Sequence, residues 1–148
     1  MFRRLDAADR RLAIGAAMAF AATGMGLRLA GLRRSRPVLL WLTPRKTWNG
    51  SEEAKIALAQ RIASVQDRVS RHLFWHASCL EQSLVLWRQL MRRGIAAEIR
   101  IGARKEAGRF EAHAWVELGN VILNDFGEAH IHFAPFEGSI LSQETLTP

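Results

Sequence analysis

Three residues that could form a thiol-based catalytic site lie on three successive predicted elements. Cys79, the only cysteine of the chain, lies where a helix is predicted to begin. His113 lies in the middle of a predicted strand, and Asp125 ends the next strand. A thiolate can attack a carbonyl carbon, an imidazole can transfer the proton, and a carboxylate can orient the imidazole. The pattern therefore suggests a cysteine nucleophile with a base and an orienting group.

The position of Cys79 favours a reactive thiol. Ser78 with Glu81 three residues later, ahead of an apolar run, is typical of a capping box at a helix start. Unpaired N–H groups and the helix dipole at this end stabilise a thiolate. The alternative is a buried cysteine that acts as a small apolar side chain. Position alone does not separate these two interpretations.

The strand register tests whether His113 and Asp125 can meet. A two-residue turn at Gly119 and Asn120 would place Phe126 opposite His113 and turn Asp125 to the other face. A three-residue loop or a one-residue bulge would instead place the carboxylate opposite the imidazole. If the two residues form a triad with Cys79, we therefore expect an odd loop or a bulge at this hairpin.

The remaining histidines carry weaker signals. His130 and His132 share one face of a predicted short strand over residues 131–133, and two histidines can begin a metal site. No third ligand is evident, so we predict neither a metal site nor a cofactor. His72 and His76 lie in a connection, where surface histidines are common.

Composition indicates a single globular domain without structural cysteines. The chain has 148 residues, 49% of them hydrophobic and 24% charged, which are ordinary globular values. One cysteine excludes an internal disulfide and any multi-cysteine zinc or iron–sulfur site. Residues 1–50 carry ten Lys and Arg against two Asp, a net charge of +8, whereas the rest carries −1. This basic third lacks the aromatic interleaving and zinc-finger spacing of nucleic-acid binders, so we do not predict nucleic acid as a partner.

The N-terminal region is predicted to contain a long helix over residues 6–34, which Pro37 should stop. Residues 12–27 are apolar throughout, but sixteen residues fall short of the ~20 that span a bilayer. No clear signal-peptide cleavage site follows them. We therefore expect a cytoplasmic protein whose first helix is buried or faces a partner. Membrane contact through residues 12–32 is the alternative.

The rest of the chain is predicted to be α+β. A helix over residues 51–70 and the helix that begins near Cys79 precede strands over residues 97–102, 110–118, 121–125 and 131–133. Helices followed by adjacent strands favour an antiparallel sheet against which the helices pack. We divide the chain into a basic helical region, residues 1–50, and a domain that carries the candidate site, residues 51–148.

Several motifs in order resemble a known family, the transglutaminase-like leader peptidases of lasso-peptide biosynthesis. The similarity covers about residues 65–138. The motifs are Ser78-Cys79-Leu80, Arg92-Arg93-Gly94-Ile95, Ile101-Gly102-Ala103-Arg104-Lys105, His113-Ala114-Trp115-Val116-Glu117, Asn124-Asp125 and Phe133-Ala134-Pro135-Phe136-Glu137-Gly138.

The resemblance implies a fold, a site and partners. It implies a transglutaminase- or papain-like core in which a cysteine-bearing helix packs on an antiparallel sheet. It assigns Cys79 as nucleophile, His113 as base and Asp125 as orienting residue of a cysteine protease. The implied substrate is a ribosomally synthesised precursor peptide, cut between leader and core. The implied partners are a separate leader-recognition protein and an ATP-dependent lasso cyclase.

Two other functions fit the same residues. A transglutaminase-like acyltransferase or amidase would use the same triad with another acceptor. A non-catalytic module would instead use its apolar N-terminal helix to bind a partner, and Cys79 would then be dispensable.

Overall fold

The computed structural model describes residues 6–41, 46–73, 75–125 and 128–136. Within these ranges the chain forms an α+β fold, as predicted: helices come first and an antiparallel sheet follows. The elements are α1 (Ala7–Trp41), α2 (Glu52–Ser70), α3 (Cys79–Met91), β1 (Glu98–Glu106), β2 (Arg109–Leu118), β3 (Val121–Ile122), a 3-10 helix (Ala129–His132) and β4 (Ala134–Pro135).

The first helix is longer than predicted and is interrupted elsewhere. Asp6 caps its start, because the carboxylate Oδ1 accepts the N–H of Asp9 at 2.7 Å. The helical backbone breaks at Gly31, whose φ of 69° is readily adopted only by glycine. It then resumes and continues to Trp41. The prediction that Pro37 stops the helix is therefore wrong, since the change of direction comes six residues earlier.

One face of α1 is part of the protein core. Ala13, Ala16 and Phe20 are at most 4% exposed. They pack in one apolar cluster with Val65 and Val69 of α2 and with Val85 of α3. The guanidinium of Arg61 on α2 also pairs with the carboxylates of both Asp6 and Asp9. Helix α1 is thus packed on the other two helices along one side.

The opposite face of α1 carries large apolar side chains that contact nothing in the core. Ile14, Met18, Met25 and Leu29 are 62–80% exposed. We call this set the exposed stripe. The segment Ala7–Gly31 is long and apolar enough to cross a membrane by length and composition. Core helices of soluble proteins and signal sequences share these properties, so the segment's composition does not determine where it resides.

The second and third helices begin at the predicted caps. The Ser51 hydroxyl accepts the N–H of Ala54 at the start of α2. At α3 the predicted capping box is confirmed: the Ser78 hydroxyl accepts the Glu81 N–H at 3.2 Å, and the Glu81 carboxylate accepts the Ser78 N–H at 2.7 Å. Cys79 is therefore the first residue of α3.

The sheet has the strand order β3-β2-β1-β4, and each neighbouring pair is antiparallel. Strands β1 and β2 form a long hairpin around Ala107 and Gly108, both with positive φ, as tight two-residue hairpin turns require. Two strand predictions need correction. The third strand ends at Ile122 rather than Asp125, and residues 131–132 belong to a 3-10 helix rather than a strand.

Helix α3 lies between the other helices and the sheet. Its Leu84, Leu86, Trp87 and Leu90 are at most 3% exposed. These four side chains share one core cluster with residues of α2, β1 and β2. Because α3 is packed on both sides, its N-terminal residue Cys79 has a fixed position relative to β2.

Candidate functional site

Cys79 is half-buried at the N-terminus of α3. The backbone and side-chain hydrogen bonds of the capping box hold the first turn in a single conformation. Glu81, whose function the sequence leaves open, is the acid of this box and is only 6% exposed. It also packs closely against α1, because a Cβ added at Gly24 would lie 3.0 Å from its Oε1. Glu81 therefore joins the cysteine turn to the N-terminal helix.

His113 lies in β2 within an aromatic cluster. Its ring lies 5.9 Å from that of Trp115 and 5.3 Å from that of Phe133. Gly102 pairs with His113 across the β1–β2 hairpin. A Cβ at Gly102 would lie 2.8 Å from the Phe133 Cβ and 3.1 Å from the Trp115 ring. The absence of a side chain at this position therefore allows the aromatic residues to enclose the imidazole.

Asp125 faces His113. The carboxylate Oδ1 lies 3.6 Å from the His113 Nε2, and the Asp125 side chain is only 5% exposed. The Nε2 is buried and has no hydrogen-bond partner among the described residues. The acceptor that faces it is the Asp125 carboxylate. With Nε2 directed at Asp125, the other ring nitrogen, Nδ1, is left to exchange a proton with a reacting group.

The Asp125 carboxylate is held by a third group, His130. The His130 Nδ1 lies 2.8 Å from Oδ2, and the backbone N–H groups of His130 and Ala129 also donate to the carboxylate. Burial raises the pKa of Asp125, but the backbone and ring hydrogen bonds from His130, the Ala129 N–H and the nearby His113 together lower it below its usual value. Asp125 is thus held as an anion.

The route by which Asp125 reaches His113 differs from the one expected. Residues Leu118 and Val121 pair across a two-residue turn, without an odd loop. The prediction of an odd loop or a bulge is therefore wrong. Regular pairing ends soon after, at Ile122, and the chain bends at Asn124. Because Asp125 lies beyond the sheet, the alternation of a strand no longer determines which way its side chain points.

Asn124 makes this bend and ties three elements together. Its side-chain Oδ1 accepts the N–H of Val116 in β2 at 2.7 Å, where a continued strand would have supplied a backbone carbonyl. Its Nδ2 donates to the Ser83 hydroxyl on α3 at 3.0 Å. Ser83 lies one helical turn after Cys79, on the same face of the helix. Asn124 therefore brings the turn that holds Cys79 and the segment that holds Asp125 to one end of α3.

Of the three predicted site residues, the structure brings His113 and Asp125 into direct proximity. Cys79 lies at the N-terminus of α3, the helix that packs on the strand carrying His113. Sequence reasoning missed the roles of His130 and Asn124. The sequence pattern suggests that His130 and His132 could be two ligands of a metal site, but the His130 ring contacts Asp125 instead. Among the described residues, no group of three or more His, Cys, Asp or Glu is arranged to hold a metal ion. Asp125 accepts the N–H groups of residues four and five positions later, so a search for acids followed at this spacing by possible donors could have found His130.

The arrangement can support acyl chemistry. Cys79 at a helix N-terminus can act as a nucleophile, and the imidazole of His113, whose Nε2 faces a buried carboxylate, can carry a proton. The aromatic side chains around the imidazole exclude part of the water from the site. Trp115 forms part of that wall and is fixed by the hydrogen bond from its Nε1 to the Glu117 carboxylate at 2.7 Å.

Comparisons with known proteins identify the family of the chain. No curated protein and no solved structure matches the chain. A family model described as the transglutaminase-like superfamily matches residues 10–137, which span most of α1, all the other elements and the whole candidate site. The chain therefore belongs to the transglutaminase-like superfamily, a class of cysteine proteases and acyltransferases.

Proposed function

We propose that this protein is a cysteine peptidase that removes the leader from a ribosomally synthesised lasso-peptide precursor. The observation that carries the proposal is the buried Asp125 carboxylate facing His113 Nε2 at 3.6 Å, in a fold where Cys79 begins the helix packed on the strand of His113. Membership of the superfamily supports thiol-based acyl chemistry. The motifs shared with lasso leader peptidases support the narrower substrate class.

In the proposed mechanism, Cys79 is the nucleophile. Its proton passes to His113 Nδ1, and the Sγ thiolate attacks the scissile carbonyl to form a C–S bond. The His113 imidazolium then protonates the leaving amine as the C–N bond breaks. A water molecule, deprotonated by His113, attacks the thioester and releases the leader carboxylate and the free thiol.

Asp125 has the orienting role in this mechanism. As an anion it faces the His113 Nε2 at 3.6 Å, and in the reacting complex this contact shortens so that the carboxylate accepts the Nε2–H. That bond keeps Nδ1 free for the thiol and stabilises the imidazolium during proton transfer. The backbone N–H of Cys79, at the positive end of the α3 dipole, is our candidate donor to the oxyanion of the tetrahedral intermediate.

The proposal includes partners and a location. The substrate is the leader–core junction of the precursor, a separate protein recognises the leader, and an ATP-dependent cyclase closes the ring. We place the reaction in the cytoplasm. The exposed stripe of α1 supports contact between residues 12–32 and either one of these proteins or a membrane, because such a row of apolar side chains on a helix is unusual without a covering surface.

Mass spectrometry of the cognate precursor tests the proposal. The precursor is incubated with its recognition protein and with the wild-type protein, Cys79→Ala or Cys79→Ser. We expect a single cut by the wild type, with a free carboxylate on the leader, and no cut by either variant. Circular dichroism on each variant shows whether it has the wild-type fold.

The products separate the alternatives. Transfer of the leader acyl group to an added amine, with little hydrolysis, would identify an acyltransferase or amidase instead. Equal cleavage by the wild type and a folded Cys79→Ala protein would remove Cys79 as the nucleophile. A folded wild-type protein that binds the precursor or the recognition protein but never cuts would identify a non-catalytic module.

A further inference from the structure

A second concave site lies away from Cys79, between α1 and the C-terminal part of α3. It is a cavity of about 390 Å³, within the size range of ligand pockets. Its walls carry five cationic side chains and no carboxylate among the described residues. We call it the basic groove, and its cations are Arg11, Lys46, Arg88, Arg92 and Arg93.

The five cations lack acidic partners, although the Arg93 Nη1 donates to the backbone carbonyl of Gln89 at 2.8 Å. None of them forms an ion pair with a carboxylate within the described ranges. The Nε of Arg88 is buried and has no hydrogen-bond partner among the described residues. Burial and the neighbouring Arg92 charge lower the pKa of Arg93. Arg88 and Arg93 are half-buried, so holding their like charges together costs free energy that a bound anion would offset, whereas Arg11, Lys46 and Arg92 are exposed and screened by water.

The helix dipole explains only part of this cluster. Cations near the C-terminus of α3 interact favourably with the negative end of that helix. Arg11 and Lys46, however, come from α1 and from the connection before α2, so the α3 dipole does not account for their convergence. Gly15 also lines the groove, and a Cβ added there would meet nothing within 4 Å, so the space beside it is open. Leu12 and Ala19 line the apolar part.

The groove is positioned to hold a distant part of a bound peptide. Cys79 and Arg92 are thirteen residues apart along α3 and its C-cap, which corresponds to about 20 Å. An extended peptide covers this distance with roughly six residues. Arg88 is nine residues after Cys79 and so lies half a turn around the helix from it, which means that a peptide must also cross α3 and needs at least these six residues to reach the groove.

We propose that the basic groove binds carboxylate side chains of an acidic segment of the peptide substrate, at least about six residues from the scissile bond. Arginine forks pair with carboxylates in a bidentate manner, and the apolar floor can accept the aliphatic part of glutamate side chains. This inference rests on the proposed peptidase function for the identity of the ligand, but the binding can be measured without cleavage.

The probe is a fluorescein-labelled hexaglutamate peptide, titrated in fluorescence anisotropy with the full chain carrying Cys79→Ala. In this background, the double variant Arg88→Gln/Arg92→Gln should raise the Kd by a factor of about 10 to 100, because each charge-assisted hydrogen bond contributes appreciably. The matched control is Arg71→Gln/Arg109→Gln, which removes the same charge from exposed sites. It should leave the Kd within about twofold.

A second variant keeps the test independent of the arginines' role in folding. Gly15→Glu places a carboxylate in the open groove and should also weaken hexaglutamate binding about tenfold. Equal losses in the groove variant and the surface control would overturn the proposal, since binding would then depend on net charge alone. The proposal would also be overturned if both groove variants bound hexaglutamate with the Kd of the parent Cys79→Ala protein.

Two further arms separate other sources of anions. Inorganic phosphate that binds in the groove when hexaglutamate does not would identify a small-oxyanion site and contradict the proposal. Groove-dependent binding to phosphatidylserine vesicles, without peptide binding, would do the same. In the cleavage assay, the groove variant should raise KM with kcat nearly unchanged. Failure of the wild type to cleave would count against the peptidase function. The anisotropy result would still show whether the groove binds the acidic peptide.

Discussion

Asp125 is the most constrained residue of the candidate site, because His130 and two backbone N–H groups hold it independently of His113. Because Asp125 is already held by these bonds, it can orient the His113 imidazole and does not depend on His113 for its own position. His130 is therefore a positioning residue in the proposed mechanism. Its ring need not contact the substrate for its loss to affect the rate.

Replacement of His130 tests this role. His130→Ala should lower kcat by about 10²-fold, since small displacements of a catalytic constellation are costly. His130→Asn should recover a substantial part of the rate, because its amide nitrogen can donate from nearly the position of the imidazole Nδ1. KM should change little in either variant. Equal rates for the Ala and Asn variants would show that the ring's hydrogen bond to Asp125 is not the important contact.

The anionic state of Asp125 also predicts a pH dependence of stability. Its pKa is lower in the folded than in the unfolded chain, so the group contributes stability at pH above ~4, the unfolded value. That contribution is lost as the pH falls through the lower, folded value. Denaturant unfolding of the wild type and Asp125→Asn should therefore show a free-energy difference that is largest above pH ~4 and shrinks at lower pH. A difference that stays constant with pH would mean that the charge does not stabilise the fold.

At the scale of elements, the site depends on the close approach of β1, β2 and β4 at Gly102. The β1–β2 pairing places Gly102 beside His113, and the β1–β4 pairing places it beside Pro135. The Cβ of Phe133 and the carbonyl of Ala134 occupy the space that a side chain would need. The sheet edge can therefore hold the aromatic wall against the imidazole only if residue 102 lacks a Cβ.

Gly102→Ala should reduce activity and stability together. The added methyl group must displace Phe133 or the backbone of β4, and overpacking of this kind typically costs about 1–3 kcal/mol. The same substitution at Gly15, where nothing lies within 4 Å, should raise the free energy of unfolding by up to about 1 kcal/mol. Denaturant unfolding and precursor cleavage by Gly102→Ala measure both effects. Wild-type stability and rate in this variant would contradict the close packing described here.

The connection made by Asn124 gives a second prediction at this scale. Asn124→Ala leaves the N–H of Val116 without its acceptor and should lower the free energy of unfolding by about 1–3 kcal/mol. Ser83→Ala removes only the hydrogen bond to α3 and should cost less. Activity should fall further in Asn124→Ala than in Ser83→Ala, because the former also releases the segment that carries Asp125. Denaturant unfolding and cleavage assays on both variants check the order.

The sequence predicted well those features that local interactions determine. The start of α3 follows from Ser78 and Glu81, which are three residues apart and bond to each other. The hairpin strands follow from alternation of apolar and polar residues. The orientation of Asp125 could not be predicted in this way, because it depends on Asn124 replacing a strand carbonyl and bonding to a distant helix. His130 was missed for a different reason: its neighbours have the pattern of a strand but adopt a 3-10 turn.

At the scale of the whole molecule, the N-terminal helix is part of the core. The family match begins at residue 10, within α1, and Phe20 of that helix is buried among side chains of α2 and α3. The division into regions 1–50 and 51–148 stays a prediction about how the chain is organised. The packing nonetheless shows that the candidate catalytic region uses α1 as one of its walls.

Phe20→Ala should destabilise the entire fold by about 3–5 kcal/mol, as is usual when a buried aromatic side chain is removed. Phe110→Ala is the matched control, because Phe110 is 80% exposed at the β1–β2 hairpin, and it should change stability by less than about 0.5 kcal/mol. Thermal and denaturant unfolding of the two variants measure the difference. Similar small effects would show that α1 is dispensable for the rest of the fold.

The two-sided character of α1 has a consequence during synthesis. Phe20 leaves the ribosome about 65 residues before Val85, one of the side chains that covers it. At typical elongation rates this interval lasts roughly 3 to 13 s. Throughout that time both the face that will be buried and the exposed stripe are accessible to chaperones and to the membrane-targeting machinery. We therefore expect capture of α1 to compete with translation of α3, so that slower elongation favours capture.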